Sequence, residues 1–282
     1  MVQSSHPSKR IVIVDYGLGN LKSAFKGFRY LGADVKITDD PGIISDADGI
    51  VLPGVGAFKA GMENLGNLRK ALDEAICAGR PVLGICLGMQ MLLSLSEEGG
   101  LTRGLDYIPG RVVRFPEDKG LKIPHMGWNT LRIKRDHPIL DGIKDGAFVY
   151  FVHSYYALTD REEFTVATTD YGIEFASVVT SHDGKVVGTQ FHPEKSGRQG
   201  LLLLKNFLDL SAISVKPPRT VQTTRLAKRI IACLDVRTND QGDLVVTKGD
   251  QYDVREKGEV RNLGKPVDLA KRYYLEGADE IT

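Results

Sequence analysis

Short apolar runs alternate with amphipathic stretches over the first hundred residues of the chain. The runs at residues 11–14 (IVIV) and 81–85 (PVLGI) are continuously apolar, as in strands that are buried on both faces. Strand-like segments also occur at residues 33–38 and 49–52, and apolar positions recur at helical spacing over residues 21–31. This alternation predicts an α/β fold with an open, mostly parallel sheet and helices on both faces.

The pattern changes between residues 104 and 187, where short strand-like pieces are separated by Gly, Asp, Asn and Pro. We expect added antiparallel strands in this region. The helical pattern LLLLKNFLDL then closes a first domain, predicted to span residues 1–212. Residues 213–224 include two adjacent prolines and no apolar periodicity, which indicates a linker. Residues 225–282 begin a new α/β unit with the strand-like run KRIIACLDV.

The composition is that of a globular protein, with 42% hydrophobic and 26% charged residues and a net charge of +1. Because Lys and Arg are spread along the chain, we expect neither nucleic acid nor a membrane as a partner. The three cysteines, Cys77, Cys86 and Cys233, favour a reducing compartment over a disulfide framework. We therefore expect a cytoplasmic protein, or an organellar one if a targeting segment has been removed.

Cys86 lies in the segment GICLG, where an apolar strand pattern meets an apolar helical pattern. The flanking glycines allow a tight turn, and the start of a helix favours a thiolate through its dipole. This arrangement predicts a nucleophile elbow. A buried core cysteine is the alternative for a lone Cys, because unpaired cysteines are among the most buried residues.

A candidate base lies far along the chain, in the segment QFHPEK at residues 190–195. His192 can take the thiol proton, and Glu194 can orient the imidazole and stabilise its cation. Strand alternation would put both side chains on one face, although Pro193 indicates that the strand ends there. A surface His and Glu at the end of a strand are the alternative for either residue taken alone.

Acyl chemistry also needs donors for a tetrahedral oxyanion. We expect one backbone N–H from Leu87 and a second from the loop PGVG at residues 53–56, whose glycines permit close backbone approach. An ordinary turn is the alternative for that loop. The loop DYGLGN at residues 15–20 matches a dinucleotide fingerprint only in part, since Lys22 occupies the third glycine position, and we expect no nucleotide site there.

The segments GICLGMQ and FHPEKS resemble the class I glutamine amidotransferase family. The segments PGVG, PHMGWN and YFVHSY further resemble the glutaminase part of the imidazole glycerol phosphate synthase family, over about residues 10–210. The resemblance implies that the cysteine attacks the side-chain amide of glutamine, that ammonia leaves, and that water hydrolyses the glutamyl thioester. We expect no cofactor and no metal.

The resemblance also implies roles for single residues. Gln90 and Glu98 would help to hold the substrate glutamine, and the peptide of Val55 would have to reorient to complete the oxyanion hole. The need for this reorientation would keep the glutaminase inactive until its partner domain has bound its ligand. Three further positions match the interface between glutaminase and cyclase, namely Tyr150, His153 and Lys195.

The stretch RLAKRIIACLDV resembles the first strand of the cyclase (β/α)8 barrel of the same family. Asp235, at the predicted strand end, matches a general acid/base of the cyclase, with a helix-cap or turn aspartate as the alternative. Lys248 matches the lysine of the first βα loop. Arg229 and Glu280 match charged residues that gate the ammonia entrance, with a structural salt bridge as the alternative. Since a barrel takes around 250 residues, we expect only the start of an incomplete barrel here.

Glutamine and a cyclase barrel are therefore the expected partners of this chain. By resemblance, the complete synthase would combine the ammonia with a phosphoribulosyl-formimino carboxamide ribotide. Its products would be imidazole glycerol phosphate and an aminoimidazole carboxamide ribotide, which belong to histidine and purine synthesis. Two alternatives stay open, a glutaminase or amidase that serves another acceptor and a non-catalytic interaction module.

Overall fold

The structure is a computed structural model that describes residues 9–212 and four short strands further along the chain. The chain divides into two units, Met1–Pro217 and Pro218–Thr282, and the division falls within the segment predicted as a linker. The predicted boundaries themselves, at residues 212 and 225, stay predictions. Among the described residues, no helix combines the length and the apolar character of a membrane span.

The first unit is built on a 12-stranded mixed sheet, with a parallel half of five strands and a mainly antiparallel half of seven. Five strands lie side by side in the order β2, β1, β3, β4, β14, and every neighbouring pair of them is parallel. They are β1 (Arg10–Val14), β2 (Asp34–Thr38), β3 (Gly49–Gly54), β4 (Val82–Cys86) and β14 (Val186–Thr189). The residues of β3, β4 and β14 are all buried, as expected for parallel strands that are covered on both faces.

Helices cover both faces of the parallel half. They are α1 (Leu21–Tyr30), α2 (Pro41–Ser45), α3 (Phe58–Leu65), α4 (Leu68–Cys77), α5 (Leu87–Met91) and α6 (Gly197–Ala212). On one face, Ile11 and Ile13 of β1 pack in a core cluster with Phe28 of α1 and Phe207 of α6. The alternate β1 residues Val12 and Val14 join a second cluster with helices α3 and α4. The predicted fold class is confirmed.

The remaining strands extend the sheet on the far side of β14. They are β5 (Leu93–Ser96), β6 (Thr102–Arg103), β7 (Ile108–Arg114), β9 (Arg132–Ile133), β11 (Tyr155–Thr159), β12 (Thr165–Asp170) and β13 (Glu174–Thr180). Every pairing among them is antiparallel except that of β5 with β7. A separate two-stranded antiparallel sheet pairs β8 (His125–Thr130) with β10 (Phe148–His153). The antiparallel additions expected between residues 104 and 187 are therefore present.

Short 3-10 turns occur at Glu117–Lys119, Pro138–Leu140, Glu162–Phe164 and Pro193–Lys195. The helical pattern after Cys86 is shorter than the sequence indicated. Helix α5 ends at Met91, and the next apolar residues form strand β5, where Leu93 pairs with Ile108 of β7. The run MQMLLSL satisfies either element locally, so pairing with β7 decides the outcome.

The second unit is described by four strands. Strand β15 (Ile231–Ala232) pairs in parallel with β18 (Glu280–Ile281), and β16 (Asp235–Thr238) pairs antiparallel with β17 (Leu244–Thr247). Asp235 begins β16 opposite Thr247, so the expectation that it ends a strand is wrong. Arg229 and Lys248 lie outside the described residues, and Asp235 and Glu280 are described only by their strand pairing. Their predicted cyclase roles stay predictions.

Candidate active site

Three neighbouring parallel strands end at one edge of the sheet. Strand β4 lies between β3 and β14, and its register pairs Cys86 with Gly54 of β3 and Ile85 with Thr189 of β14. Because parallel strands share a direction, the segments that follow their carboxyl ends meet at the same edge. The elbow, the PGVG loop and the QFHPEK segment are far apart in the sequence and are brought together by this pairing.

Cys86 has the backbone conformation of a sharp elbow. Its φ is +53° and its ψ is −107°, and only one other non-glycine residue in the described part of the chain has a positive φ. A methyl group on Gly88 would overlap the carbonyl oxygen of Leu52, and one on Gly84 would lie 2.7 Å from the nitrogen of Met89. The two glycines therefore let the turn pack directly against its own helix and β3. The predicted sharp turn at Cys86 is present, and the role of Cys86 as a nucleophile stays a prediction.

His192 and Glu194 form a buried pair. Nδ1 of His192 lies 2.8 Å from Oε1 of Glu194, and the side chains are 2% and 3% exposed. Strand alternation does not produce this contact, because β14 has ended and Pro193 starts a 3-10 turn that brings both side chains together. With Nδ1 engaged, Nε2 is left buried with no hydrogen bond to any described residue.

The protonation of His192 is set by its two neighbours. Burial by itself lowers the pKa of His192, but the interactions of the ring with Cys86 and Glu194 outweigh burial and raise the pKa to about 9. At neutral pH the imidazole therefore holds its proton beside the Cys86 sulfur. A protonated imidazole in this position can supply a proton during acyl chemistry.

The two expected oxyanion donors lie on adjacent segments. Leu87 is the first residue of α5, and N–H groups at the start of a helix have no partner within that helix. Val55 follows Gly54 and is 41% exposed. A methyl group on Gly54 would lie 2.8 Å from Cβ of Leu87 and 3.0 Å from the nitrogen of Gly88, so the two segments touch. The assignment of both N–H groups to an oxyanion stays a prediction.

Gln90 and Glu98 both bridge segments around the elbow. Nε2 of Gln90 donates to the carbonyl of Tyr155 at 3.0 Å and to Oε1 of Gln190 at 3.1 Å. Oε2 of Glu98 accepts the backbone N–H of Phe58 at 2.8 Å and so caps α3, the helix that follows the PGVG loop. Neither contact tests a role in binding glutamine, which stays a prediction.

The predicted interface residues are arranged around β10. Tyr150 is half-buried, and the exposed Lys195 places its Nζ 5.9 Å from the Tyr150 ring. The N–H of His192 donates to the carbonyl of Tyr150 at 2.9 Å, so this strand lies beside the catalytic candidates. His153 is buried instead, with Nδ1 2.8 Å from the carbonyl of Tyr155. A role at an interface stays a prediction for all three.

Two further polar residues, Tyr16 and Gln190, lie next to the predicted site residues. The hydroxyl of Tyr16 donates to the carbonyl of Pro53 at 2.5 Å, and Nε2 of Gln190 lies 3.7 Å from Sγ of Cys86. Tyr16 is 4% exposed and Gln190 is fully buried. Each is a polar residue just beyond an apolar strand, Tyr16 two residues after Val14 of β1 and Gln190 directly after Thr189 of β14. That position in the pattern is the signal that could have found them.

The assembled groups suit acyl transfer. A thiolate, a proton-holding imidazole with its carboxylate, and backbone N–H groups are what attack on a carboxamide carbon needs. Within the described residues, no group of three or more His, Cys, Asp or Glu side chains comes together to hold a metal ion.

Residues 12–210 match the family model described as glutamine amidotransferase class-I. The chain belongs to the class-I glutamine amidotransferase family. The elbow at Cys86 and the buried pair of His192 and Glu194 lie within the matched residues of this amidotransferase. The family predicted from GICLGMQ and FHPEKS is therefore confirmed.

Relatives of this amidotransferase narrow the comparison. The chain is 58% identical over 204 residues to the imidazole glycerol phosphate synthase subunit HisH of Natronomonas pharaonis. The aligned residues make up 71% of this chain and 94% of that relative. The chain is 49% identical over 291 residues to the chloroplastic imidazole glycerol phosphate synthase hisHF of Arabidopsis thaliana. That match covers 100% of this chain and 48% of the relative, so the chain spans about half of the relative's length. The predicted resemblance to this synthase family is confirmed.

Among solved structures, PurLQS from Thermotoga maritima aligns to the amidotransferase with a TM-score of 0.59 and 18% identity. The alignment covers 72% of this chain and 99% of that one. At this identity the likeness concerns the fold alone, and it agrees with the mixed sheet described above.

Proposed function

We propose that this chain is the glutaminase of an imidazole glycerol phosphate synthase, hydrolysing glutamine to glutamate and ammonia for histidine biosynthesis. The observation that carries the proposal is the elbow at Cys86 together with His192, whose Nδ1 lies 2.8 Å from Glu194 and whose pKa is raised to about 9. The names of the HisH and hisHF relatives support the choice of synthase.

The first half of the reaction is acylation of the enzyme. The Cys86 thiolate attacks the side-chain amide carbon of glutamine, and the carbonyl oxygen becomes an oxyanion that the N–H groups of Leu87 and Val55 stabilise. The protonated His192 then gives its proton to the leaving nitrogen. The C–N bond breaks, ammonia leaves, and a glutamyl thioester remains on Cys86.

The second half is hydrolysis of the thioester. His192, now neutral, takes a proton from water, and the resulting hydroxide adds to the thioester carbon. The C–S bond breaks, glutamate leaves, and the imidazolium–thiolate pair is restored. Glu194 holds the imidazole in one orientation through Nδ1 during both halves. We assign Gln90 and Glu98 to holding the substrate glutamine.

The ammonia acceptor belongs to the proposed partner, a cyclase barrel whose beginning is residues 225–282. The complete synthase would use the ammonia with the phosphoribulosyl-formimino carboxamide ribotide. Tyr150, His153 and Lys195 are assigned to the side of the glutaminase that faces this barrel. The site of action would be the cytoplasm or an organelle, and the Arabidopsis relative is named chloroplastic.

Ammonia release from glutamine tests the proposal. We would measure it for this chain, for Cys86→Ala and for Cys77→Ala, each with and without a separately supplied intact cyclase barrel and its ribotide. Cys77 is exposed at the end of α4 and provides a matched control for loss of a thiol. We expect release that depends on the loaded barrel, disappears in Cys86→Ala and persists in Cys77→Ala.

The other outcomes separate the alternatives. Ammonia release that is the same with and without the barrel and the ribotide would favour a free-standing amidase. No release under any condition would overturn the proposed activity and favour an interaction module.

A further inference from the structure

A chain of buried hydrogen bonds ends on the Cys86 sulfur. The carbonyl of Tyr155 accepts from Nε2 of Gln90, the same nitrogen donates to Oε1 of Gln190, and Nε2 of Gln190 lies 3.7 Å from Sγ of Cys86. Gln90 is 5% exposed and Gln190 is fully buried. The triad mechanism described above assigns no role to Gln190.

The orientation of both amides follows from the first link of this chain. A backbone carbonyl can only accept, so the end of Gln90 that faces Tyr155 must be the nitrogen. That nitrogen also faces the Gln190 amide, so the end of Gln190 nearest to it must be the oxygen. The remaining end of Gln190, which faces Cys86, is therefore the N–H donor.

An N–H group aimed at sulfur favours the thiolate over the thiol. Hydrogen bonds are strongest when the acceptor is ionised, and a neutral thiol is a weak acceptor. The carbonyl of Val152, 3.8 Å from the same sulfur, acts in the opposite sense because it can accept only from a protonated thiol. The donor from Gln190 offsets this carbonyl.

We propose that Gln190 is a positioning residue that stabilises the Cys86 thiolate through its side-chain N–H and is itself held in orientation by Gln90 and the Tyr155 carbonyl. The proposal rests on the proposed glutaminase function and deepens it. Gln90 then has the additional role of orienting Gln190. Both N–H groups of the Gln90 amide donate within this series of hydrogen bonds, so only Oε1 remains available to a substrate.

Alkylation of Cys86 tests the proposal without requiring turnover. The full chain, Gln190→Leu and Gln190→Glu would be treated with iodoacetamide between pH 5 and 9, and labelling of the Cys86 peptide would be followed by mass spectrometry. Labelling of the exposed Cys77 in the same samples controls for the reagent, and urea unfolding reports whether the variants remain folded. Thr169→Val is the matched control, since Thr169 is fully buried and its hydroxyl has no hydrogen bond to any described residue.

Gln190→Leu removes the donor at similar size and should slow Cys86 labelling about tenfold near pH 7, because the thiolate loses a charge-assisted hydrogen bond. Gln190→Glu keeps an acceptor for Gln90 but places a carboxylate oxygen toward the sulfur, and should slow labelling further. In both variants the rise of the labelling rate should move to higher pH, while Thr169→Val keeps the profile of the unmodified chain.

Labelling of Cys86 that is unchanged in a folded Gln190→Glu would overturn the positioning role. The proposed function would fail separately, because ammonia release is measured independently of labelling. If labelling of Cys86 depends on Gln190 but the chain releases no ammonia, the positioning role stands and the glutaminase assignment fails. Ammonia release that is unaffected by either substitution would remove the positioning role alone.

Discussion

Gly54 and Cys86 are paired across β3 and β4, so the residue before Val55 lies directly beside the nucleophile. A methyl group on Gly54 would collide with the hydroxyl of Tyr16 and lie 2.8 Å from Cβ of Leu87. The missing side chain at position 54 is what allows the loops after β1, β3 and β4 to share this space. Both proposed oxyanion donors flank it.

Gly54→Ala should therefore impair the site more than the fold. We expect glutaminase activity to fall about 100-fold or more, because displacing one oxyanion donor costs about 2.7–4 kcal/mol of barrier. Crowding should lower the free energy of unfolding by about 1–3 kcal/mol. Steady-state ammonia release and urea unfolding measure the two effects.

The control for this substitution is Gly42→Ala. Gly42 is an exposed residue of α2, where the nearest atom to an added methyl group is Oδ1 of Asp40 at 3.3 Å. It should keep normal activity. Full activity in Gly54→Ala would remove the loop after β3 from the proposed mechanism.

The site could be predicted from sequence where its signals are local. The elbow shows in the glycines around Cys86, and the pair of His192 and Glu194 lies within three residues of chain. The contact between Gln190 and Cys86 joins residues 104 positions apart and depends on β14 pairing with β4. No local pattern specifies that pairing, so the position of Gln190 after a strand marks it as a candidate but does not predict its contact with Cys86.

The fold also has features that local sequence predicts and features that depend on pairing between distant strands. Continuous apolar runs identified β1 and β4, because strands buried on both faces need apolar residues throughout. The extent of α5 was not predictable, because the apolar run after Cys86 fits a helix and a strand equally well. Pairing of Leu93 with Ile108 on a strand further along the chain settled it.

Glu194→Gln should change stability in a pH-dependent way. The pKa of His192 is raised from 6.5 to about 9, so its contribution to stability is fully present below pH 6.5 and is lost as pH rises through about 9. Removing the Glu194 charge removes part of that contribution. The difference in free energy of unfolding between the unmodified chain and Glu194→Gln should be largest near pH 6 and shrink by pH 9.5.

Glu174→Gln is the control for this pH series. Glu174 is paired with Lys134 and Arg132, and hydrogen bonds from Lys134 and Thr168 are the main causes that lower its pKa. A carboxyl with a lowered pKa loses its contribution to stability only at acid pH. The difference in free energy of unfolding between the unmodified chain and Glu174→Gln should therefore be constant from pH 6 to 9.5. A flat difference for Glu194→Gln as well would argue against a charged His192.

The buried histidine pair predicts loss of stability in acid. Nδ1 of His125 lies 3.0 Å from Nε2 of His153, and burial lowers their pKa values to about 4 and about 3. Both are neutral in the fold but take up protons below pH 6.5 when unfolded. Stability should therefore decline as pH falls from 6.5 towards 4, by up to about 1.4 kcal/mol per pH unit for each histidine.

His125→Phe removes one titrating ring from this pair. His125 stacks on Tyr171 with ring centroids 4.1 Å apart. A phenyl ring at position 125 can keep this stacking when it replaces the imidazole. We expect the variant to be about 1–3 kcal/mol less stable at pH 7, because the hydrogen bonds of His125 with His153 and Asn129 are lost, and to decline less steeply in acid. Urea unfolding at pH 7, 6 and 5 distinguishes this result from parallel curves, which would contradict it.

Tyr16→Phe tests whether the first loop supports the oxyanion loop. The Tyr16 hydroxyl donates to the carbonyl of Pro53, and burial, with a smaller effect from Cys86, raises its pKa, so it remains a donor. Without it, the carbonyl next to Gly54 loses a buried partner, and the peptide that leads to Val55 is less restrained. We expect kcat for ammonia release to fall about tenfold with little change in KM.

Tyr107→Phe is the matched control, because the Tyr107 hydroxyl makes an equally short bond of 2.5 Å to Asp73. It should leave kcat unchanged, whatever its effect on stability. Since Tyr16→Phe does not alter the donors to the Cys86 sulfur, iodoacetamide should label Cys86 at the normal rate in both variants. Slower labelling together with slower turnover in Tyr16→Phe would mean that Tyr16 acts on the nucleophile, and a normal kcat would leave it a purely structural residue.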